Sequence, residues 1–259
     1  MKNKIRTVVQ QNCFLFQELV KRDFKKKYKR SVLGMFWSVL SPLCTLTVMN
    51  VIFSNFFEGT VTHYTTFLFA GNILWSYFRD ATNEGMYSLV MNGDILKKIN
   101  IPKYLFLASK NVSALINFML TFVVFLIFTV LDGVTFSWMM LGMLYPMVCM
   151  TVFNLGIGMI LSALFVFFMD TKYLYDIAMM LAMYASAIFY DITTFPDWIQ
   201  MVFHCNPVFV YIKYFRIVVL QGTFPDVGMH LLCAFYAVAT FVVGMVIYRK
   251  NNYRFIYYL

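Results

Sequence analysis

Long apolar stretches with few charges recur along the chain and predict membrane-spanning helices. A helix needs roughly 20 apolar residues to cross a bilayer, and tilt or a kink can absorb the excess of a longer stretch. Allowing for helix ends that carry a charge, we predict six spans, at residues 34–57, 64–90, 104–131, 136–169, 173–190 and 227–248. The pattern therefore predicts a single all-α polytopic membrane domain.

A further apolar segment, at residues 194–221, is interrupted by Pro207. Its uninterrupted apolar part is short for a span, and proline ends a helix near the preceding residue. Backbone groups that are freed at such a break need partners in protein or water. We therefore predict two short re-entrant or interfacial helices between the fifth and sixth spans, with a break near Asn206.

The segment before the first span, residues 8–30, has a helical stripe of apolar positions opposite cations and amides. The stripe consists of Val9, Cys13, Phe16, Val20, Phe24 and Tyr28. Spacings of three and four are typical of an amphipathic helix that lies along a membrane surface. The cations by themselves are explained by membrane topology and attraction to anionic lipid, but their density also favours an additional contact surface.

Composition and charge agree with this assignment and orient the chain. Hydrophobic residues make up 61% and charged residues 13%, whereas a soluble domain carries about 25% charged residues. With the N-terminus placed in the cytoplasm, only Lys213 and Arg216 of the 21 lysines and arginines fall on the opposite side, and Arg79 lies within a span. The positive-inside rule then predicts that both termini are cytoplasmic. The net charge of +9 therefore does not indicate a nucleic-acid partner.

Charged residues interrupt the second predicted span at Arg79, Asp80 and Glu84. Charges in hydrocarbon are costly, so these side chains are expected to face protein or a wet cavity. One interpretation is a site on the path of a polar substrate. The other is a structural ion pair at a break in the helix.

The loop between the second and third spans predicts a short cytoplasmic helix at residues 92–100. Asn92 is a favourable helix start, Asp94 lies in the first turn, and Lys97 and Lys98 lie toward the end, which suits the helix dipole. A short helix between two spans has the shape of a docking element. It could equally be an amphipathic connector without a partner.

Aromatic residues make up 19% of the chain, and several cluster at the centres or ends of spans. Aromatic planes stack on the C–H faces of sugar rings, and phenol hydroxyls bind sugar rims, so a carbohydrate conduit is one interpretation. Interface belts and lipid-facing packing are the other. The candidates for such a conduit are Trp37, Trp75, Tyr77, Phe78, Arg79, Tyr87, Tyr184 and Tyr190.

Sequence signatures of catalysis and metal binding are missing. The chain has no phosphate-binding G-x-x-x-x-G-K-[ST] loop, no H-E-x-x-H and no G-x-S-x-G. Its five cysteines form no C-x-x-C pair and its three histidines are isolated, so we predict neither a metal nor another cofactor on this chain. Any energy source, including ATP and Mg²⁺, has to be bound by another subunit.

Several stretches, taken in order, resemble the ABC-2 type transporter permeases that export polysaccharide. They are VKRDFKKKYKRSVLGMFWSVLSPL, FLFAGNILWSYF, NGDILKKINIPKYLF, LGIGMILSALFVFFMDTKYLY and NPVFVYIKYFRIVVLQGTFPD. The resemblance covers essentially the whole chain and is strongest to permeases for O-antigen, teichoic acid and rhamnose-rich cell-wall polysaccharides. The charged pair Arg79 and Asp80 departs from the expected pattern.

This resemblance implies a homodimer in the bacterial cytoplasmic (inner) membrane, with two separate ATP-binding cassette subunits docked below it. The substrate would be a polysaccharide on a polyprenyl pyrophosphate lipid. Residues 8–30 would be an interface helix. Residues 92–100 would be a coupling helix that contacts the ATPase through Asn92, Asp94, Ile95, Leu96, Lys97 and Lys98, while Lys25, Lys29 and Arg30 would attract the lipid pyrophosphate. Two alternatives remain, a permease for a small hydrophobic drug or lipid and a membrane-embedded lipid-modifying enzyme.

Overall fold

The computed structural model describes residues 2–28, 34–57, 62–99 and 101–259. Within them the chain is helical, and the part described contains no strand. The helices are α1 (Lys2–Tyr28), α2 (Trp37–Phe57), α3 (Tyr64–Tyr87), α4 (Gly93–Lys98), α5 (Tyr104–Leu131), α6 (Leu144–Phe167), α7 (Thr171–Ala185), α8 (Asp197–His204), α9 (Pro207–Arg216), α10 (Val227–Asn251) and α11 (Arg254–Tyr258). The all-helical class predicted from the sequence is thus confirmed.

Four of the described helices are long and apolar enough to cross a membrane. They are Gly34–Ser54, Tyr104–Leu131, Trp138–Phe167 and Val227–Asn251, and the bent pair α8 and α9 raises the number to five if it is counted as one span. The second and fifth predicted spans fall outside this group, because α3 carries three charged residues and α7 has only 15 residues. The chain is therefore an integral membrane protein with four or five spans by this measure.

Helix α3 is the centre of the bundle. Most of its residues are buried, and it packs against α2, α5, α6 and α9. Its charged residues lie in its second half, where Arg79 and Asp80 keep 55% and 41% of their side chains exposed and approach each other to 3.8 Å. Arg79 and Asp80 are thus placed where the bundle is open and not in its apolar core.

Helices α6 and α10 cross at backbone contact. A Cβ added at Gly156 would lie 2.5 Å from the backbone nitrogen of Phe241, and one added at Gly244 would lie 2.7 Å from the carbonyl oxygen of Gly156. Small residues allow helix backbones to approach in this way, which is a main source of helix association in membranes. This crossing joins α6 and α10 into one unit.

At the end of the bundle that is remote from the chain termini, hereafter the distal end, α8 and α9 meet at an angle of 104°. Asn206 organises the break between them. Its side-chain oxygen accepts a hydrogen bond from Val208 N at 3.0 Å, and its amide donates to Ala185 O and to Ser186 Oγ, each at 3.0 Å. The residue therefore caps α9 and also ties the elbow to the end of α7.

Arg216, at the end of α9, is buried among backbone carbonyls. Its guanidinium donates to Phe67 O at 3.1 Å, to Ala187 O at 2.8 Å and to Ile188 O at 2.7 Å. It also lies 3.4 Å from the centroid of the Phe67 ring. One side chain thus joins α9, the start of α3 and the bend that follows α7.

The opposite end of the bundle, hereafter the terminal end, has its own apolar cluster. This terminal-end cluster contains residues of α1, α5, α6, α10 and α11 and of the loop that carries α4. Its buried members are Leu19, Leu89, Leu96, Leu105, Phe106, Leu107, Met159, Ala163, Val166, Tyr248 and Phe255. Helices α1, α4 and α11 therefore contribute to one common cluster, in which α1 packs against α5 and α11 against α6 and α4.

Candidate functional site: a polar groove and the terminal-end surface

A cavity of about 490 Å³ lies between α2, α3 and α5. Hereafter it is called the groove. Its lining consists of Gly34, Trp37, Ser38, Ser41, Pro42, Thr45, Met49, Asn72, Ile73, Trp75, Ser76, Tyr77, Arg79, Asp80, Ala114, Asn117, Phe118, Thr121 and Met183. In a chain of this hydrophobicity, so many hydroxyl, amide and charged groups on one cavity indicate that it opens to water or to protein and not to hydrocarbon.

Hydroxyl and amide groups hold the groove together as well as line it. Thr121 donates to the carbonyl oxygen of Ser38 at 3.2 Å, and the hydroxyl of Ser38 donates to Asn117 Oδ1 at 3.5 Å. These bonds join α2 to α5 across the groove. Each such bond contributes about 0.6 kcal/mol on average inside a membrane, so the two bonds add little to the packing of Leu46 and Phe53 of α2 against the core.

Four of the eight predicted conduit residues line the groove: Trp37, Trp75, Tyr77 and Arg79. Trp37 is half exposed at the start of α2, whereas Trp75 and Tyr77 are buried apart from their contact with the cavity. The Tyr77 hydroxyl, which has one hydrogen to donate, lies 3.3 Å from Asn111 Oδ1 and 3.0 Å from Thr151 Oγ1. The phenol is therefore held against α5 and α6, and its ring forms a fixed part of the wall.

The other four candidates lie elsewhere. Phe78 is buried against Phe153, with ring centroids 5.9 Å apart. Tyr87 packs against Phe165 near the terminal end, and Tyr184 is 53% exposed on α7. Tyr190 lines a different cavity at the distal end. The structure does not bring these four residues together with the groove.

Sequence reasoning missed the small polar residues of the groove. Ser38, Ser41 and Thr45 recur at spacings of three and four on α2, and Asn72 with Ser76 and Asn117 with Thr121 recur at spacings of four on α3 and α5. These spacings put the residues of each set on one face of a helix. These spacings are present in the sequence, but the predictions for these spans rested on their apolar, charged and aromatic residues.

Helix α4 presents three of its predicted coupling residues to solvent and buries two others. Asp94, Lys97 and Lys98 are exposed. Leu96 is buried in the terminal-end cluster, and the buried amide of Asn92 donates to Ser88 O at 2.7 Å. The sixth residue of the set, Ile95, is partly buried against the same cluster. Partner contact through α4 is thus available to the charged residues, while the apolar ones fix the helix to the bundle.

A buried carboxylate attaches α1 to the bundle. Asp23 accepts a hydrogen bond from Ser109 Oγ at 3.0 Å and lies 3.4 Å from Lys110 Nζ, both on α5. Arg22 approaches the same carboxylate to 2.9 Å. The position of α1 along α5 is therefore set by charge as well as by Leu19.

The predicted pyrophosphate residues are only partly described by the structure. Lys25 is exposed on α1, on the stretch that precedes the first span. Lys29 and Arg30 lie outside the described residues. At the same end Lys103 is buried, donates to Asn252 Oδ1 at 2.9 Å, and has a pKa lowered by the loss of hydration.

Residues 14–220 match the model of the family described as ABC-2 type transporter. The chain belongs to the ABC-2 type transporter family. It is 29% identical over 93% of its length to an O-antigen export system permease protein RfbA of Klebsiella pneumoniae, covering 95% of that protein. The O-antigen export system permease protein RfbA of Myxococcus xanthus is 24% identical, with 82% of each chain covered. The chain is accordingly a transport subunit of the ABC-2 permease type and not an enzyme, which confirms the resemblance drawn from the sequence.

Proposed function

We propose that this ABC-2 permease moves a polysaccharide linked to polyprenyl pyrophosphate from the cytoplasm to the outer face of the bacterial inner membrane. The groove is the observation that carries the proposal, because it combines aromatic planes with hydroxyl and amide groups along three apolar helices. A polymer that has to leave again needs many weak contacts rather than one tight site. The relatives named as O-antigen export system permeases agree with a glycan substrate.

A homodimer with six spans per subunit accounts for the surfaces that a single copy leaves uncovered. Val48, Val51 and Ile52 on α2 are each more than half exposed, and so are Leu174, Ile177 and Leu181 on α7. With both termini cytoplasmic, α3 and α7 complete the six spans and α8 with α9 forms the re-entrant pair. The groove then becomes half of a conduit that the second copy closes.

ATP hydrolysis belongs to a separate ATP-binding cassette subunit that docks on the terminal end. The exposed residues Asp94, Lys97 and Lys98 of α4 are the contacts we propose. We expect the double variant Lys97→Glu/Lys98→Glu to lose most co-purification with the ATPase subunit and most polysaccharide-stimulated ATP hydrolysis. Lys250→Glu, at an exposed lysine of the same end, is the matched control. Wild-type co-purification of the double variant would exclude this docking role.

The lipid pyrophosphate is attracted by the cations that precede the first span, Lys25, Lys29 and Arg30. Hydrogen bonds between charged groups and phosphate are individually strong, so removing the three cations is expected to reduce export more than removing one aromatic residue of the groove. A triple alanine variant that inserts normally and exports at the full rate would exclude this role.

Deletion of the gene tests the transport function directly. We expect the lipid-linked glycan to accumulate on the cytoplasmic side and the surface polysaccharide to disappear, with recovery when the wild-type gene is returned. Unchanged surface polysaccharide together with loss of resistance to a hydrophobic compound would instead identify a drug or lipid permease.

Narrowing the groove tests the path of the polymer. Ser41→Phe places a ring at a position on α2 that lines the groove, whereas Val123→Phe places the same ring at an exposed position of α5 that does not line it. We expect export to fall at least tenfold in Ser41→Phe and to stay near the wild-type level in Val123→Phe. Equal export by both variants, at equal membrane levels, would exclude the groove as the path.

A further inference from the structure

A second cavity, of about 310 Å³, lies at the distal end between the α8–α9 elbow and the turn that follows α7. It is called the distal pocket below. Its lining consists of Thr62, Phe67, Tyr190, Asp191, Ile192, Thr193, Gln200, Phe209, Lys213, Arg216, Ile217, Leu220 and Gln221. The volume falls in the range of small-molecule pockets, which is about 300–1,000 Å³.

Two aromatic rings of the distal pocket are fixed in place. The hydroxyl of Tyr190 donates to Tyr184 O at 2.7 Å, and the Tyr190 ring meets Phe203 edge-on with centroids 6.3 Å apart. Phe209 packs on the same Phe203 at 5.4 Å and has Lys213 Nζ 5.9 Å from its centroid. Phe209 is 2% exposed and forms part of the wall, so the partly exposed ring of Tyr190 is the planar apolar face that a ligand can meet without reordering.

The polar side chains of the pocket are likewise oriented, and each keeps hydrogen-bonding capacity. Asp191 accepts from Thr193 N at 3.3 Å and from Thr193 Oγ1 at 2.9 Å, which leaves further acceptor positions on a carboxylate. Gln200 donates to Phe195 O at 2.8 Å and retains its carbonyl oxygen and a second N–H. Donors and acceptors thus stand side by side.

The cations of the pocket are also positioned. Lys213 Nζ lies 3.2 Å from His204 Nε2. This contact uses one of the three N–H groups of the lysine. Arg216 forms part of the buried wall and is held by its three backbone carbonyls. Because Asp191, Lys213 and Gln200 would be costly in hydrocarbon, the mouth of the pocket has to open to water or to protein.

We propose that the distal pocket binds a saccharide unit of the exported polymer after it has passed the membrane. This inference rests on the proposed function and adds a second binding site to it. Sugar hydroxyls donate and accept together, and sugar C–H faces stack on rings, which matches the interleaved rings, carboxylate, amide and ammonium. A lipid chain would meet too many polar groups here, and a bare phosphate would be repelled by Asp191.

The test measures binding of the lipid-free polymer to the full-length protein in complex with its ATPase subunit in nanodiscs. The probe is the polymer released from the lipid-linked pool of the source strain by mild acid cleavage of the pyrophosphate. We expect Asp191→Asn to raise the Kd at least fivefold and the double variant Asp191→Asn/Lys213→Gln at least twentyfold. Asn retains the local turn chemistry of Asp, so Asp191→Asn is expected to fold.

Asp197→Asn is the matched control, because Asp197 is an exposed carboxylate at the same end and does not line the pocket. Its Kd is expected to stay within twofold of the wild type. Equal Kd values for Asp191→Asn and the wild type, or displacement of the polymer by inorganic phosphate, would overturn the saccharide assignment.

The deletion experiment keeps the two proposals apart. If the deletion strain accumulates lipid-linked glycan but the pocket variants bind the polymer normally, only the distal pocket assignment fails. If the deletion leaves surface polysaccharide unchanged, the export function itself fails.

Discussion

Arg216 is the residue whose replacement we expect to damage the fold most, because it is a buried cation whose guanidinium donates hydrogen bonds to three backbone carbonyls. In Arg216→Met the carbonyl oxygens of Phe67, Ala187 and Ile188 lose their donors. Hydrogen bonds to charged groups contribute about 1.5–3 kcal/mol each, and a desolvated cation–π contact contributes about 2 kcal/mol. These gross contributions sum to about 6–11 kcal/mol.

The net loss is smaller, since the variant no longer has to bury a charge. A buried acceptor that loses its donor costs about 1–3 kcal/mol, and with three such carbonyls, less the cost of burying the guanidinium, we expect a net loss of about 3–5 kcal/mol. For chains of 150–250 residues, 1 kcal/mol shifts the midpoint of thermal unfolding by about 2–4 °C. We therefore expect Arg216→Met to lower the midpoint by about 6–20 °C, measured by tryptophan fluorescence in detergent.

Gly71 gives an independent test of the same arrangement. A Cβ at this position would lie 2.6 Å from Arg216 Nη2, so Gly71→Ala has to displace the guanidinium. Gly93→Ala is the control, because its Cβ would meet nothing closer than 3.7 Å. If Gly71→Ala and Arg216→Met both melt like the wild type, the guanidinium does not hold the distal end together.

Two further variants test other contacts of the bundle. Asp23→Ala removes the charge that attaches α1 to α5, so we expect a protease to cleave α1 several times faster than in the wild type. Glu18→Ala removes only an exposed ion pair with Lys21, and in this control variant we expect α1 to be cleaved at the wild-type rate. Gly156→Ala places a Cβ 2.5 Å from the α10 backbone and is expected to give little monodisperse protein. In the control Gly158→Ala the Cβ comes closest to the movable side chain of Leu107, at 3.0 Å, and we expect a normal yield. Cleavage of α1 in Asp23→Ala at the wild-type rate, or normal yield of Gly156→Ala, would contradict the respective contact.

The sequence predicted the helical class and several helix positions, because hydropathy and proline act locally. The break between α8 and α9 lies next to Pro207, and three long apolar stretches became the helices α5, α6 and α10. Helix α7 ends at Ala185, before the predicted end at residue 190, because the chain turns at Ala187, which has a positive φ of 49°. Such a turn at a non-glycine residue has no simple sequence signature.

The role of Arg216 could not be predicted in the same way. In the sequence it is one of two cations on the side with few positive charges, and its partners are backbone carbonyls, which every residue carries. Asp23 was hidden for a related reason. It lies within a run of cations, whereas its main partners Ser109 and Lys110 are remote in sequence, so the pairing follows only from how α1 lies along α5.

Under the proposed function, the distribution of close packing indicates where the bundle opens. Force applied to α4 reaches α6 through the terminal-end cluster, since Leu96 and Phe255 are both buried in it. The α6–α10 crossing at Gly156 is backbone against backbone and resists sliding. Helix α2, in contrast, is joined to α5 by isolated side-chain bonds and has Leu46 as its single buried residue within 37–54. Tightly packed helices move together, so we expect α2 to shift relative to the rest, which would widen the groove that it lines.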